Sequence, residues 1–201
     1  MKKINKFSKI LFKELTTLNN EILEQLYNVH YLSLPYDIMH QFGIDLEKEY
    51  FKEIVYQNKG KIIIALKKNE IIGYLILKLG EVNQFKLITL KSILIFLVKS
   101  LLKPSLLIRL IYQICNPIVK PLNYGEIDYF VVKKKYRSVG IGKKLISLTE
   151  KIAKKNKIKN IFTKTYNKKL AQYYLKKRKS ILTSKFKVLN FEYFCIYWKI
   201  N

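Results

Sequence analysis

The alternation of apolar and polar residues along the chain predicts a mixture of strands and helices. Period-two alternation or short apolar runs predict strands at about 6–15, 61–66, 71–79, 126–132, 158–165 and 187–200. Apolar residues at helical spacing predict one helix that ends near 31, and others at about 35–57, 142–156 and 167–179. Gly43 is expected to interrupt the second of these helices. The predicted order is therefore strand, helices, hairpin, strand, helix, strand, helix and strand.

A leucine-rich segment at about 85–122 lies outside this order, because it is too long for an ordinary connection. Lys91, Lys99, Lys103 and Arg109 interrupt its apolar runs well short of the ~18 residues that a membrane-spanning helix needs. Pro104 divides the segment, which predicts two short amphipathic helices. Their apolar faces could cover the core of the domain, contact a second copy of the chain, or lie on an anionic membrane surface.

The composition indicates a single folded domain, 1–201, with a large excess of positive charge. The chain has 201 residues, of which 49% are hydrophobic and 13% aromatic, and this is enough for a buried core. There are 39 Lys and Arg residues against 14 Asp and Glu, a formal net charge of +25. Between 133 and 187 there are twenty basic residues and one acid. The excess reflects either a compositional bias or a polyanionic partner: nucleic acid, an anionic membrane or a phosphorylated substrate.

Other kinds of site are not favoured by the residues present. Cys115 and Cys195 are too few for a disulfide framework, and a buried thiol is favoured over a catalytic one for each. His30 and His40 stand in no metal-ligand spacing with cysteine, so no metal site is predicted. The first residues are basic but have no long apolar stretch or cleavage site, and the expected location is the cytoplasm.

The sequence FVVKKKYRSVGIGKKL at 130–145 predicts a strand, a tight turn with two glycines and the start of a helix. The first N–H groups of a helix have no acceptor within the helix, and its dipole adds about half a positive charge there. Gly140 and Gly142 let the backbone approach an anion closely. The dinucleotide fingerprint needs a third glycine where Leu145 stands, and the Walker pattern is absent. The stretch therefore predicts a pyrophosphate site that belongs to neither nucleotide motif.

The same stretch resembles the acyl-CoA-binding motif of the GNAT superfamily of N-acetyltransferases, Arg/Gln-x-x-Gly-x-Gly/Ala, in its residues Arg137, Gly140 and Gly142. The order of predicted elements is also similar to that of the family over nearly the whole chain. The resemblance implies an α+β fold: an α/β/α sandwich with a mixed, mostly antiparallel sheet flanked by helices. In that fold the basic amphipathic segment 85–122 would be a helical insertion before the central strand.

A second family motif, Asn-x-x-Ala-x-x-Phe/Tyr-Tyr followed by Gly-Phe, is matched in part. Asn167 and Tyr174 stand at the expected spacing, but the alanine is displaced by one position to Ala171. Arg178 and Lys179 stand where the family has Gly-Phe. The end of this helix therefore departs from the family pattern, while Tyr174 stays in register.

The resemblance implies acetyl-CoA as the acetyl donor. Its pantetheine arm would pair with the backbone of the strand that ends at 132, and its pyrophosphate would contact the amides at 139–143. The implied donor-binding residues are Phe130, Val131, Val132, Arg137, Ser138, Val139, Gly140, Ile141, Gly142, Lys143 and Asn167.

Acetyl transfer to an amine needs a proton donor for the leaving thiol and an acceptor for the amine proton. Tyr174 is the predicted donor, because tyrosine has an unperturbed pKa of about 10 and stays protonated at neutral pH. A purely packing role is the alternative for Tyr174, and Tyr173 is the fallback donor. Glu126 and Asp128 lie two apart on one face of a strand and are the predicted bases, Glu126 before Asp128. Salt bridges to nearby lysines are the alternative for both.

The sequence thus predicts an N-acetyltransferase that acts on a primary amine and uses no metal. The positive charge disfavours a polycationic acceptor and favours a nucleotide-linked amino sugar, another small-molecule amine or an amine at a membrane surface. Two alternatives remain: a protein N-acetyltransferase, and a basic nucleic-acid-binding protein, although the chain has no recognised nucleic-acid motif. The segment 85–122 would support peripheral contact with the inner face of the membrane or a homodimer.

Overall fold

Seven strands form one sheet in the computed structural model, which describes residues 10–80, 84–115 and 118–200. They are β1 (Ile10–Leu15), β2 (Gly60–Lys67), β3 (Glu70–Lys78), β4 (Tyr124–Val132), β5 (Asn160–Thr165), β6 (Ile181–Val188) and β7 (Phe191–Lys199). Their order across the sheet is β1-β2-β3-β4-β5-β7-β6. Among these described strands only the β4–β5 pair is parallel. The predicted α+β fold with a mixed, mostly antiparallel sheet is confirmed.

The helices of the described residues flank this sheet. They are α1 (Asn20–Ser33), α2 (Ile44–Tyr56), α3 (Leu90–Leu102), α4 (Ser105–Cys115), α5 (Ile141–Lys155) and α6 (Lys168–Lys177). Asn19 begins α1 as an N-cap, because its side chain accepts a hydrogen bond from the N–H of Ile22. Gly43 ends a short 3-10 turn and precedes α2 with φ 107°, a left-handed value that glycine tolerates. The predicted interruption at Gly43 is confirmed.

Side-chain alternation along the central strands builds a core on each face of the sheet. Ile62 and Ile64 of β2 pack with residues of α1 and α2 on one face. Ile63 and Ala65 of the same strand pack with residues of α5 and α6 on the other face. The sheet is therefore the middle layer of a sandwich, and its continuous apolar strands follow from burial on both faces.

The C-terminal part of the sheet differs from the sequence prediction. One closing strand was predicted at 187–200, and this prediction was wrong, because β6 and β7 form an antiparallel hairpin. The turn passes through Leu189, whose φ of 53° is a conformation usually taken by glycine or asparagine. The first predicted strand, 6–15, begins outside the described residues, and its described part is β1.

The helices α3 and α4 are separated at Pro104, as predicted, but their small polar residues face inward. Ser92 and Ser100 of α3 are buried with Phe96, and Phe96 stacks on Phe42 with a ring separation of 4.4 Å. The outward stripe of α3 is instead apolar and exposed, and consists of Leu90, Ile93, Leu94, Leu97, Val98, Leu101 and Leu102. These residues therefore do not cover the core of the domain.

The second helix of the pair repeats this arrangement. Arg109 of α4 is buried, while Leu107, Ile108 and Ile111 are exposed. Leu106 is buried with Phe96 in a small cluster against the 3-10 turn. Within the described ranges, no helix has both the length and the apolar character needed to cross a bilayer.

Candidate active site

Strands β4 and β5 separate at their C-terminal ends and form a cleft. Their pairing ends with Ile127 opposite Thr163, but β4 continues to Val132 and β5 to Thr165. Two adjoining cavities of about 360 and 170 Å³ lie in this cleft. We name the larger the turn cavity; its lining includes Phe130, Val131, Val132, Tyr136, Arg137, Ser138, Gly142, Thr165, Tyr166, Asn167 and Leu170. We name the smaller the inner cavity; its lining includes Asp37, Arg109, Asp128, Tyr129, Thr163, Lys164, Tyr174 and Tyr193.

The strand β4 has one extra residue where it borders the inner cavity. Leu75 of β3 pairs with Phe130, and Leu77 pairs with Ile127, so the register shifts between these pairs. A bulge of this kind re-aims side chains beside a site. Consequently the consecutive residues Asp128 and Tyr129 both line the inner cavity, although neighbours on a regular strand point to opposite faces.

The glycine turn presents free backbone N–H groups at the start of α5. The first hydrogen bond of the helix runs from the Lys144 N–H to the Gly140 carbonyl, at 3.1 Å. The N–H groups at 141–143 have no acceptor within the part of the chain that the structure describes. Ser138 and Gly140 adopt positive φ values of 64° and 93°, and such turns form concave amide sites for anions.

The side chains around this turn leave room for a ligand. A Cβ at Gly142 would lie 2.9 Å from Cζ of the Phe130 ring, so the glycine keeps backbone and ring close together. Arg137 Nε donates a hydrogen bond to the Val132 carbonyl at 2.9 Å and holds the turn against β4. Lys143 is exposed at the start of α5. Free N–H groups, a helix N-terminus and nearby cations fit a pyrophosphate-bearing ligand.

Most of the predicted donor-binding residues lie together. Those that line the turn cavity are Phe130, Val131, Val132, Arg137, Ser138, Gly142 and Asn167. Ile141 is instead buried in the core, and Val139 packs against that core, while Gly140 and Lys143 are exposed. Asn167 also begins α6, because its Oδ1 accepts a hydrogen bond from the Leu170 N–H at 3.1 Å.

Tyr174 lies in the wall between α6 and the sheet. It contributes to the lining of the inner cavity, yet the residue is fully buried and its ring stacks on Trp198 at 5.0 Å. Its hydroxyl has no hydrogen-bond partner in the described part of the chain. Burial raises the pKa of Tyr174 well above its ordinary value, so the hydroxyl stays protonated and can donate a hydrogen bond.

The two predicted bases face the same side of β4, but only one reaches the inner cavity. Lys78 Nζ lies 3.4 Å from the Glu126 carboxylate and 3.5 Å from that of Asp128. Glu126 also pairs with Lys120 at 2.9 Å, and it lines a separate cavity with Lys78. Asp128 lines the inner cavity and accepts a hydrogen bond from the Tyr50 hydroxyl. The structure therefore brings Asp128, but not Glu126, close to the cleft.

A further carboxylate in the inner cavity was not predicted from the sequence. Asp37 follows α1 and is 20% exposed, and it accepts a hydrogen bond from the Tyr129 hydroxyl at 3.0 Å. The fully buried His30 imidazole lies 3.6 Å from the same carboxylate oxygen. Burial opposes ionisation of Asp37, but His30, Tyr129 and the His40 N–H outweigh it and lower the pKa of Asp37. Asp37 is therefore a carboxylate at neutral pH.

His30 and His40 also lie close to a second buried acid, Glu47. Glu47 of α2 lies 3.4 Å from Nδ1 of His30 and 2.9 Å from Nδ1 of His40. Burial acts to lower the pKa of His30, but Asp37 and Glu47 outweigh it, so the pKa of His30 is raised.

In the described ranges, no group of three or more His, Cys, Asp or Glu residues is arranged to hold a metal ion.

Arg109 of α4 also lines the inner cavity. It is 4% exposed, and one terminal nitrogen donates hydrogen bonds to the Tyr36 carbonyl at 2.5 Å and the Tyr193 hydroxyl at 3.5 Å. Its guanidinium lies over the Phe191 ring at 4.6 Å. Its Nε has no hydrogen-bond partner, and no ion pair among the described residues includes it. In the sequence, Arg109 stands out only as a charge that interrupts an apolar run of the segment 85–122.

Comparisons with known proteins agree with this geometry. The sequence model of the acetyltransferase (GNAT) family matches residues 21–178. No curated protein sequence that was compared matches the chain. A putative GNAT-family acetyltransferase from Desulfovibrio desulfuricans is 9% identical, with a TM-score of 0.59 over 96% of this chain and 99% of that one.

Two further structures carry names that describe a ligand or an acceptor. A GNAT-family acetyltransferase from Elizabethkingia anophelis, with acetyl-CoA bound, is 17% identical with a TM-score of 0.52, covering 96% of this chain and 99% of that one. A ribosomal-protein-alanine N-acetyltransferase from Brucella melitensis is 10% identical with a TM-score of 0.60, covering 94% and 99%. At such low identity these likenesses establish the fold.

Proposed function

The chain belongs to the acetyltransferase (GNAT) family, and we propose that it transfers an acetyl group from acetyl-CoA to the primary amine of a small acceptor. The observation that carries this proposal is the glycine turn at the mouth of the β4–β5 cleft. Gly140 and Gly142 place unpaired N–H groups beside a cavity lined by both strands. A pyrophosphate would accept those hydrogen bonds, and Arg137 would add a cation beside it.

The donor would extend from the turn cavity toward the inner cavity. Among the described residues, the backbone of β4 beyond Ile127 has no partner strand on its β5 side. Its polar groups there, apart from the Val132 carbonyl that accepts from Arg137, would be available to an extended pantetheine arm. Phe130 lines both cavities and would lie beside that arm. The thioester would then lie near the bulge at Asp128 and Tyr129, where an irregular strand can direct a backbone N–H at the carbonyl oxygen.

When bound, acetyl-CoA supplies a thioester whose carbonyl carbon bonds to the amine nitrogen while its carbon–sulfur bond breaks. Asp128 would accept a proton from the amine, directly or through water, because it lines the inner cavity. Tyr174 would donate its hydroxyl hydrogen toward the departing sulfur, since the hydroxyl is protonated and lacks a partner among the described residues. Glu126 stays in its ion pairs with Lys78 and Lys120 and would not act directly.

An acceptor screen tests this proposal. The purified chain is incubated with acetyl-CoA and representatives of several amine classes, and both free thiol and acetylated product are measured. The classes include several small-molecule amines, a nucleotide-linked amino sugar and N-terminal peptides, because the sequence left these acceptor classes open. Amine-dependent thiol release with a matching acetylated product supports the proposal, and its absence for every class contradicts it.

We further propose that the outward face of α3 and α4 lies on an anionic membrane surface. The support is the inverted polarity of this helix pair: Ser92, Ser100 and Arg109 are buried, while the leucine-rich stripe is exposed. Soluble monomers rarely expose so large an apolar patch. Exposed Lys103 lies beside the stripe, and the chain carries a net charge of +25, so an anionic leaflet fits better than a second copy with the same charge. With the cytoplasmic location expected from the sequence, this surface would be the inner leaflet.

A further inference from the structure

The lining of the inner cavity carries charges of both signs. Asp37 and Asp128 supply carboxylates from the loop after α1 and from β4. Arg109 supplies a guanidinium from α4, and Lys164 of β5 also contributes to the lining. A ligand that fills this cavity therefore meets both anionic and cationic side chains.

The Asp37 carboxylate already has partners within the protein. The Asp37 carboxylate is held by the Tyr129 hydroxyl at 3.0 Å and by the His30 imidazole at 3.6 Å. It nevertheless remains 20% exposed and can contact a ligand. An ammonium group of a ligand would be attracted here, and the neighbouring Asp128 would be the group that removes its proton.

The Arg109 guanidinium has no carboxylate partner among the described residues. Arg109 is buried to 4% exposure and has hydrogen bonds to a carbonyl and a hydroxyl, but no carboxylate among the described residues pairs with it. Its Nε is buried without a partner. Burying a guanidinium without a counter-charge is costly, which suggests that the counter-charge comes from a ligand. The planar guanidinium matches carboxylate and phosphate oxygens in particular.

We propose that the acceptor is a zwitterionic amine, whose ammonium group meets Asp37 and Asp128 and whose carboxylate or phosphate pairs with Arg109. This inference rests on the proposed acetyl transfer and names the substrate class of that same site. It assigns Arg109 a role in acceptor specificity and requires α4 to be part of the acceptor site.

Matched ligand pairs test the proposal by calorimetric binding to the purified chain. Free L-amino acids are compared with the corresponding amino acid amides, and phosphoethanolamine is compared with ethanolamine. Within each pair the amine is kept and the anion is removed. The charged member is expected to bind at least tenfold more tightly, as for a charge-assisted hydrogen bond to a buried group. The pair with the larger difference distinguishes a carboxylate from a phosphate.

The variants Arg109→Met and Arg109→Lys separate a specificity role from a structural one. Arg109→Met should remove the tenfold preference, and Arg109→Lys should keep part of it because it keeps the charge. If Arg109 had only a structural role, Arg109→Met would weaken the binding of both ligands of a pair equally, and that outcome overturns the proposal. Equal binding of charged and neutral members to the parent, including no binding of either, also overturns it. Acetyl-CoA binding and transfer to any amine would still be measurable in that case, so the proposed function is judged separately.

Discussion

Arg109 of α4 donates a hydrogen bond of 2.5 Å to the carbonyl of Tyr36, the residue that precedes Asp37. The contact joins two segments that are 73 residues apart in sequence. Through it, the helix pair α3–α4 is attached to the loop that supplies a carboxylate to the inner cavity. The helix pair therefore connects an exposed apolar surface on one side with the inner cavity on the other.

Replacement of Tyr174 by Phe separates catalysis from stability. We expect Tyr174→Phe to lower turnover by about tenfold or more, because it removes the proposed proton donor, while CoA affinity stays nearly unchanged. The free energy of unfolding should stay the same or rise by up to about 1 kcal/mol, since a buried hydroxyl without a partner is lost. Steady-state kinetics and chemical denaturation measure the two effects. Tyr173→Phe, on the neighbouring residue, is the control, and equal turnover of the Tyr174 variant and the parent would remove Tyr174 from the mechanism.

The two acids of β4 give a matched test of the base. Asp128→Asn should lower kcat/KM by roughly 10²- to 10⁴-fold, the usual contribution of general-base assistance. Glu126→Gln should stay within a few-fold of the parent, although it also loses an interaction with Lys78. Because both acids contact Lys78, the comparison controls for that ion pair. A larger loss in Glu126→Gln than in Asp128→Asn would contradict the assignment of Asp128.

The membrane contact is tested by replacing one exposed leucine with a charged residue. Leu101 is 83% exposed on α3, and Leu101→Glu should weaken sedimentation with anionic vesicles about tenfold or more, through lost apolar burial and added negative charge. Leu11→Glu, on the distant strand β1, makes the same change at another exposed leucine and should bind vesicles like the parent. Vesicles of neutral lipid should bind the parent and the Leu11→Glu variant more weakly than anionic vesicles do. If sedimentation velocity shows a dimer that Leu101→Glu dissociates, and vesicles do not bind, the face serves self-association instead.

Local sequence features predicted the backbone elements around the glycine turn well. The positions of Gly140 and Gly142, between a strand and a helix, depend on a short stretch of chain, and turn and helix-start chemistry acts over such distances. The end of β4 and the start of α5 were accordingly predicted within a few residues. The first strand of the C-terminal hairpin, β6, was missed because the turn that follows it carries Leu189 rather than a glycine.

The contacts of Asp37 and Arg109 in the inner cavity could not be predicted in the same way, because they are long-range. Asp37 meets Tyr129 across 92 residues, and Arg109 meets Tyr193 across 84. Periodicity likewise indicated that α3 is amphipathic, but not which face would meet the protein. Phe96 and the packing against the 3-10 turn set that orientation, and they are properties of the assembled fold.

The most direct test of the central claim is a calorimetric titration of CoA into the parent and two glycine variants. Gly142→Val places a side chain against the Phe130 ring and into the turn cavity, whereas Gly80→Val adds one where a Cβ meets nothing within 4 Å. The account predicts that the parent and Gly80→Val bind CoA alike and that Gly142→Val, folded by circular dichroism, binds at least about tenfold more weakly. A parent that does not bind CoA, or a folded Gly142→Val variant that binds it undiminished, would contradict the assignment of this cleft to acetyl-CoA.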